Sequence, residues 1–372
     1  MMGQKWMCKS VGCFCLILVM ALSSFGQTVP AVTPVRVAIA GMVHGHVHGF
    51  LSQARDVREI EIVGLYDPDQ ALGESIAKRF GYPSALIYTD LAAMLDEVKP
   101  QAVATFTSTF DHLAVIQACA ARGIDVMVEK PLAVDTQQAD AIAATAQEGG
   151  IAVIVNYETT WYPSNHYVYD VVKEKQIGDI RKIVVHDGHQ GPKEIGCSQE
   201  FLDWLTDPVL NGAGALFDFG CYGANLMTWL MDNQRPLTVT AVTQQIKPDV
   251  YPHVDDEATI LLTYPNAQGI IQASWNWPFN RKDMEVYGRT GYVHQDTPSQ
   301  VRKRLANQAE ETIQPEPLPA PHQHSLAYLA AVVRGEIEPE GLSSLENNRI
   351  VTEILEAARL SVQTGKTVIL PN

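Results

Sequence analysis

Cysteine is scarce in this chain, and so is positive charge. Six cysteines occur in 372 residues, and three of them fall within the first 26. Those left are Cys119, Cys197 and Cys221, an odd number with no CxxC spacing, which argues against a disulfide framework or a cysteine zinc site. They read as small buried residues. The net charge is −15, and residues 1–26 contain Lys5 and Lys9 but no acid, so the remainder carries −17. Such an excess argues against nucleic acid and an anionic membrane surface as partners. Long apolar runs are also missing; the strongest, 11–22, is too short for a comfortable membrane span. No internal repeat or low-complexity block occurs.

What is present at the start reads as an export signal. Two lysines, the apolar run and Ser24-Phe25-Gly26 follow the order of a secretory signal peptide, with cleavage expected after Gly26. The twin-arginine pair is absent, which favours the general secretory route. A lipoprotein is the alternative, but no cysteine follows the run at a cleavage position. The expected organisation is a signal at 1–26, a leader at 27–33, and domains at 34–155 and 156–372. The mature protein is expected to be exported, periplasmic or extracellular, with no membrane attachment. The length suits two domains, and 46% apolar with 19% charged residues is a globular composition.

The stretch Asp125-Val126-Met127-Val128-Glu129-Lys130-Pro131 organises the chain. A strand-forming run ends in a glutamate, a lysine and a proline that cannot continue a ladder, so Lys130 is delivered to the rim of a sheet. In an open α/β sheet, ligands bind beyond that rim. A partly desolvated lysine there is expected to have a lowered pKa and to serve as acid or base. The alternative is a surface lysine paired with Glu129.

Around it, strand-like runs at 35–40, 60–66, 102–106 and 151–156 alternate with helical patterns at 50–54, 71–80, 110–122 and 136–148. That alternation predicts a parallel sheet with helices on both faces. After Asn156 come a helix at 164–175, then alternating strands at 180–189, 238–245, 258–264, 269–275 and 284–287, with one helix at 216–231 among them. Two helices, 323–334 and 343–364, follow a proline-rich loop at 314–322. The fold class predicted is α/β: a dinucleotide-binding domain followed by an α+β domain with a large open, mostly antiparallel sheet.

Gly41 ends the first strand, where a dinucleotide fold needs a glycine for a tight turn. Val43 stands where a second glycine is expected, and Gly45 can act as the third. Asp67, 26 positions after Gly41, can accept the ribose hydroxyls of NAD and would repel a 2′-phosphate. Its alternative role is a helix N-cap before Pro68. His44, His46 and His48 invite a metal reading; with no acid nearby in sequence, and divergence expected in a tight turn, they are read as lining the cofactor crevice. His186 and His189 should point to opposite faces of their strand. In Gly212 to Tyr222, Asp218 and Tyr222 are four apart and would share a helix face, a proton-transfer set aimed at Lys130 or else a cap and a core residue.

Together, the Gly41 turn, His112 six residues before Ala118, Glu129-Lys130-Pro131, Ile177-Gly178-Asp179-Ile180 and the Gly214 to Tyr222 run resemble the Gfo/Idh/MocA oxidoreductases, over nearly all of residues 35–370. This group includes inositol dehydrogenase, glucose-fructose oxidoreductase and dihydrodiol dehydrogenase. The resemblance implies a Rossmann domain, a C-terminal domain whose sheet often mediates homo-oligomers, a nicotinamide cofactor and sugar or cyclitol substrates. It carries the family lysine to Lys130 and the family aspartate to Asp218. The common histidine four residues later is Tyr222 here, as in the glucose-fructose and dihydrodiol branch, and the later aspartate is Asn225. Trp161 stands near where many relatives have arginine.

The expected catalytic residues are therefore Lys130, Tyr222 and Asp218, with Lys130 lowering the tyrosine pKa and no metal. The expected NAD contacts are Gly41, Val43, His44, Gly45, Asp67, Thr107, His112, Glu129 and Lys130. Trp161, Tyr162, Trp204 and His189 are candidate substrate contacts. The expected activity is hydride transfer between a sugar or cyclitol hydroxyl carbon and NAD, with NADP disfavoured. Because free NAD is scarce outside the cytoplasm, a redox-neutral glycosidase or lyase with tightly bound NAD is the enzymatic alternative. An exported sugar-binding protein with a decayed cofactor site is the non-enzymatic one.

Overall fold

The computed structural model describes residues 33–371; the expected signal and all of the expected leader except Thr33 lie outside the described residues. Six parallel strands form the first sheet: β1 Val35–Ala40, β2 Ile60–Tyr66, β3 Ile87–Tyr88, β4 Ala102–Thr105, β5 Asp125–Glu129 and β6 Val153–Asn156. Their order is β3-β2-β1-β4-β5-β6. The helices between them are α1 Val47–Ala54, α2 Gln70–Phe80, α3 Leu91–Val98, α4 His112–Ala120 and α5 Thr136–Gly149. Strands covered on both faces must be apolar throughout, and Val37 to Ala40 and Val126 to Val128 are all buried. Strand order reverses between β1 and β4, so the crevice beyond their carboxyl ends is the natural ligand position.

The nine-stranded second sheet is mixed. It comprises β7 Ile180–Gly188, β8 Thr238–Gln244, β9 Glu257–Thr263, β10 Gln268–Ser274, β11 Arg281–Gly288, β12 Gly291–Thr297, β13 Gln300–Leu305, β14 Glu311–Ile313 and β15 Val368–Ile369. The order is β14-β13-β12-β11-β7-β10-β9-β8-β15, and only the β7–β10 pair is parallel. Six helices accompany it: α6 Pro163–Lys173, α7 Gln199–Leu205, α8 Ala215–Asp218, α9 Gly220–Leu230, α10 Ser325–Val333 and α11 Leu345–Thr364. One face buries alternate residues, such as Ala258, Ile260 and Leu262 of β9, beneath the wholly buried α9 and the amphipathic α11.

Two departures from expectation have clear causes. The single helix expected at 216–231 is broken at Phe219. In an unbroken helix the Asp218 carbonyl would accept from the Tyr222 amide; here it accepts from Lys130 Nζ at 3.1 Å and Cys221 Sγ at 3.2 Å, and the Tyr222 amide donates to Phe219 instead. Asp218 and Tyr222 therefore meet across a helix break, not along one helix face. Meanwhile α10, late in the chain, packs Leu326 and Leu329 into the cluster that holds Val37, Ile39 and Leu65, so the boundary in sequence is not one in space.

Gly214 is fixed by a close approach. A Cβ there would lie 1.8 Å from the Asp255 carbonyl oxygen. The Asp255 carboxylate accepts from the Gly214 and Leu216 amides at 3.0 and 2.7 Å, which holds the start of α8 in place. Gly214→Ala is expected to cost about 1–3 kcal/mol by overpacking, read as a lower urea midpoint at constant slope; an unchanged midpoint would show that this approach is not required.

Candidate active site

β5 ends where the sequence predicts and delivers Lys130 into a buried position, 5% exposed. Its Nζ donates to Asp218 Oδ1 at 2.5 Å, and Asp218 Oδ2 accepts from Trp275 Nε1 at 2.9 Å. The same Nζ lies 5.1 Å from the centroid of the Tyr222 ring. Lys130, Asp218 and Tyr222 thus converge, and with His189, Glu158 and Lys282 they line a cleft of about 820 Å³.

The protonation states differ from those expected. Burial alone would push the Lys130 ammonium down, but the Asp218 carboxylate against it outweighs burial and holds it well above the usual lysine value. Asp218 shows the reverse balance: burial raises it, and Lys130 brings it below the ordinary carboxylate range. The Tyr222 phenol is raised, by burial first and then by Asp187, Glu158, Cys221 and Asp218. Lys130 does not make it acidic, because the ammonium faces the ring and several carboxyl groups surround the tyrosine. Both Lys130 and Tyr222 are protonated at neutral pH.

On the cofactor side, Gly41 has φ +77°, and a Cβ on it would lie 2.4 Å from Thr107 Cγ2. Only glycine lets the turn pass this closely beneath the β4 end. Thr107 also meets Thr105, Oγ1 to Oγ1 at 3.1 Å. Asp67 is buried and accepts from the amides of Met42 at 2.7 Å and Asp69 at 2.9 Å. Burial raises its pKa despite those two bonds. The cap of α2 is Asp69, which accepts from Ala71 and Leu72, so the N-cap alternative for Asp67 falls. Gly45 leaves open space: a Cβ there would meet only Phe201 Cδ2, at 3.9 Å.

The histidines converge more than expected. His44 and His46 have ring centroids 4.5 Å apart, while His48 rests against Phe80. An acid is present after all, brought by the fold: His46 Nδ1 meets Glu129 Oε2 at 2.9 Å, and Asn156 Nδ2 donates to Glu129 Oε1 at 2.8 Å. Candidate ligand atoms of His44, His46 and Glu129 all lie within 4.8 Å of one another, so the sequence argument against a metal loses its premise. His44 Nδ1 accepts from the His46 amide, and burial, then His46, hold this imidazole neutral, leaving a proton on Nε2. His112 Nδ1 donates to the Leu132 carbonyl at 3.1 Å and leaves Nε2 as a bare acceptor. Among the described residues, neither Nε2 has a partner. Buried unpartnered nitrogens, a glycine turn at the switch point and a carboxylate ending β2 fit a nicotinamide dinucleotide.

The candidate substrate residues divide. Tyr162 lines the cleft and donates to Glu158 Oε1 at 2.5 Å. His189 also lines it; its Nδ1 accepts from Gly191 at 2.9 Å, which places the proton on Nε2 as a donor. His186 faces elsewhere and pairs with Asp283 at 2.9 Å. Trp204, by contrast, is buried against His44 and donates to the Val43 carbonyl at 3.4 Å, so it is a packing residue of the glycine turn and not a sugar platform. Trp161 donates to Asn156 Oδ1 at 3.1 Å and packs on Tyr328. Cys119 and Cys221 are buried as expected, whereas Cys197 is half-buried at the cleft.

Sequence reasoning missed Lys282, Glu158, Asp187 and Trp275. Lys282 Nζ lies 4.5 Å from the Tyr222 ring centroid and donates to Glu158 Oε2 at 2.6 Å. Asp187 is buried, its Oδ1 has no partner among the described residues, and burial pushes its carboxyl well up. Nothing in their local sequence marks them, since each acts through contacts made only in the fold.

Residues 35–157 match the oxidoreductase family, NAD-binding Rossmann fold, and residues 166–294 match the GFO/IDH/MocA C-terminal domain. The chain belongs to the Gfo/Idh/MocA oxidoreductase family, and its first domain is an NAD-binding Rossmann domain. Among curated relatives, trans-1,2-dihydrobenzene-1,2-diol dehydrogenase of Sus scrofa is 24% identical over 58% of this chain. That match spans 59% of the relative's length, under two-thirds. The Bos taurus enzyme of the same name is 23% identical over 82% of this chain and 89% of its own. Two solved structures share the fold. An inositol dehydrogenase homolog complexed with NAD+ from Azotobacter vinelandii has TM-score 0.79 at 19% identity, covering 92% of this chain and 98% of its own. An aldose-aldose oxidoreductase complexed with glycerol from Caulobacter crescentus has TM-score 0.77 at 20% identity, covering 91% and 100%.

Asp67→Asn should weaken NAD about tenfold and narrow the preference over NADP, since the repelling charge is gone. Fluorescence titration with both cofactors measures this; an unchanged ratio would remove Asp67 from the ribose contact.

Proposed function

We propose that this protein transfers hydride reversibly between a hydroxyl-bearing carbon of a sugar or cyclitol and NAD. The observation that carries the reading is the buried Lys130–Asp218 pair beside Tyr222, in a cleft continuous with the glycine turn. Bound NAD supplies the hydride acceptor; the chain's own groups orient the substrate and manage its proton. Lys130 and Tyr222 hold protons at neutral pH, so they donate to a carbonyl oxygen in the reducing direction and accept a hydroxyl proton only as pH rises. Asp218 fixes Lys130, and Trp275 fixes Asp218. His189 offers a donor of fixed tautomer, and the Glu158–Lys282 pair offers an acceptor and a donor for neighbouring hydroxyls.

A second reading, redox-neutral cleavage or exchange with a retained NAD, has support from α7. Phe201 and Trp204 of this helix pack on His44, and Leu210 beyond it accepts from the Phe110 amide, so the segment covers part of the glycine turn. Export, expected from residues 1–26, would make retention useful. A homo-oligomer through the second sheet is part of the proposal, supported by the far face of β9, where Thr259 is exposed and Leu261 only partly buried.

The deciding experiment is to denature protein purified after export and assay the released molecules for NAD(H) and NADP(H) by mass spectrometry. Near one NAD per chain supports retention; an empty protein that binds added NAD supports a simple dehydrogenase. Binding of neither cofactor would overturn both and leave a binding protein.

A further inference from the structure

A second cavity, of about 630 Å³, shares no lining residue with the cofactor cleft. It opens between α6, the end of α9, the loop before α10 and the turn at Glu340 to Ser343. Its wall is aromatic. Tyr169 lies flat on Trp229, with centroids 4.0 Å apart and 6° between planes, and His166 meets the same indole edge-on at 5.3 Å. Across from them Tyr328 packs against His322 at 5.5 Å.

The charged residues of the lining itself are acids, although Lys173, just outside it, pairs with one of them. Asp170, Asp232 and Glu340 line the cavity, and among the described residues no lysine or arginine does. His166 does not offset them: Nε2 donates to the Thr160 carbonyl at 2.9 Å, and burial lowers its pKa, so the ring is neutral at physiological pH. Thr160 and Ser343 are both buried lining residues whose hydroxyls have no partner among the described residues. An unpartnered buried hydroxyl costs free energy unless a ligand or water completes it. Lys173 pairs with Asp232 and holds its ammonium 4.8 Å over the Tyr169 ring, so the wall already takes a cation of the chain there, and a ligand ammonium is left the carboxylates of Asp170 and Glu340.

We propose that this cavity is a second ligand site, for a small hydroxylated organic ammonium of the amino-sugar kind, held between the Trp229–Tyr169 wall and the carboxylates of Asp170 and Glu340. An anion is repelled by the carboxylates of Asp170 and Glu340, whereas Asp232 is already paired with Lys173. A neutral sugar can use the aromatic wall and the hydroxyls but gains nothing from the charge. The site stands independently of the proposed redox chemistry, since no residue of the cofactor cleft takes part.

The test uses three probes of similar ring and different charge: D-glucosamine, D-glucose and D-glucuronate. Each is titrated into the full chain with saturating NAD at about pH 6, below the pKa of an amine, followed by heat and by the Trp229 indole proton resonance. Glucosamine is expected to bind about tenfold more tightly than glucose, with glucuronate silent to about 20 mM. Asp170→Asn and Glu340→Gln, both at exposed positions, should each weaken glucosamine about threefold or more. Lys130→Ala in the cleft should leave its affinity unchanged. Equal binding of the three probes, no binding of any, survival of glucosamine binding in both carboxamide variants, or its loss in Lys130→Ala would overturn the assignment.

Discussion

Lys130→Ala should lower turnover by about 10²–10⁴-fold, the usual range for a proton donor, while NAD affinity stays within about threefold. The lysine is buried, 2.5 Å from Asp218 and over the Tyr222 ring, with no hydrogen bond to the glycine turn. Its removal strands the Asp218 carboxylate, and breaking a buried pair costs about 3–5 kcal/mol. A fall in activity could then be mistaken for a fall in folding. Lys130→Ala combined with Asp218→Asn separates the two, because it removes both charges: stability should largely return and turnover should not. Recovery of turnover in the double variant, or full turnover in the single one, would take Lys130 out of the chemistry.

Asp218→Asn should move the alkaline limb of the oxidation rate to lower pH and reduce turnover. The sign follows from the opposing influences on Lys130. Burial disfavours the ammonium and the Asp218 charge favours it, with Cys221 and Glu129 adding to the latter; with the Asp218 charge gone, burial is opposed by those two alone and the pKa falls. A base then forms at lower pH, although it is held less firmly. In the native protein no group of the triad changes charge near neutrality, so oxidation should climb steadily from about pH 7 toward alkaline values, while reduction is best near neutral. The same pair shapes stability. Asp218, depressed, contributes above the unfolded carboxylate pKa and loses that contribution as pH falls through its folded value. Lys130, raised, contributes below the unfolded lysine pKa and loses that contribution as pH rises through its own. A profile of native oxidation that peaks near neutrality, or one unmoved by Asp218→Asn, would contradict this balance.

Much of the first domain is legible in the residues because its signals are local. An apolar run closed by Glu129-Lys130-Pro131 fixes where β5 ends, and Gly41 marks the tight turn after β1. Shorter or more charged elements hide. The two residues of β3 are too few for any period, and β13 carries Arg302, Lys303 and Arg304 in succession, which masks its alternation. Helix α3 has an aspartate cap at Asp90 and was readable in principle, yet between two strands it merges with its loops. In the site, Lys130, Asp218 and Tyr222 stand in recognisable runs, but the direction of their pKa shifts depends on distances that no run contains. Asp67 and Asp69 illustrate the same limit: two aspartates flank Pro68, and only the fold shows that the second caps α2 while the first holds the glycine turn.

The most direct test of the central claim is a rapid-mixing experiment that follows absorbance at the reduced-nicotinamide band. NAD-loaded protein is mixed with a panel of cyclitols and aldoses, in protiated form and deuterated at the carbinol carbons. The account predicts that at least one member reduces the cofactor with a primary isotope effect, faster at alkaline pH, and that Lys130→Ala abolishes the signal while still binding NAD. No reduction by any member at any pH, with NAD demonstrably bound, would contradict hydride transfer from a sugar or cyclitol carbinol at this site.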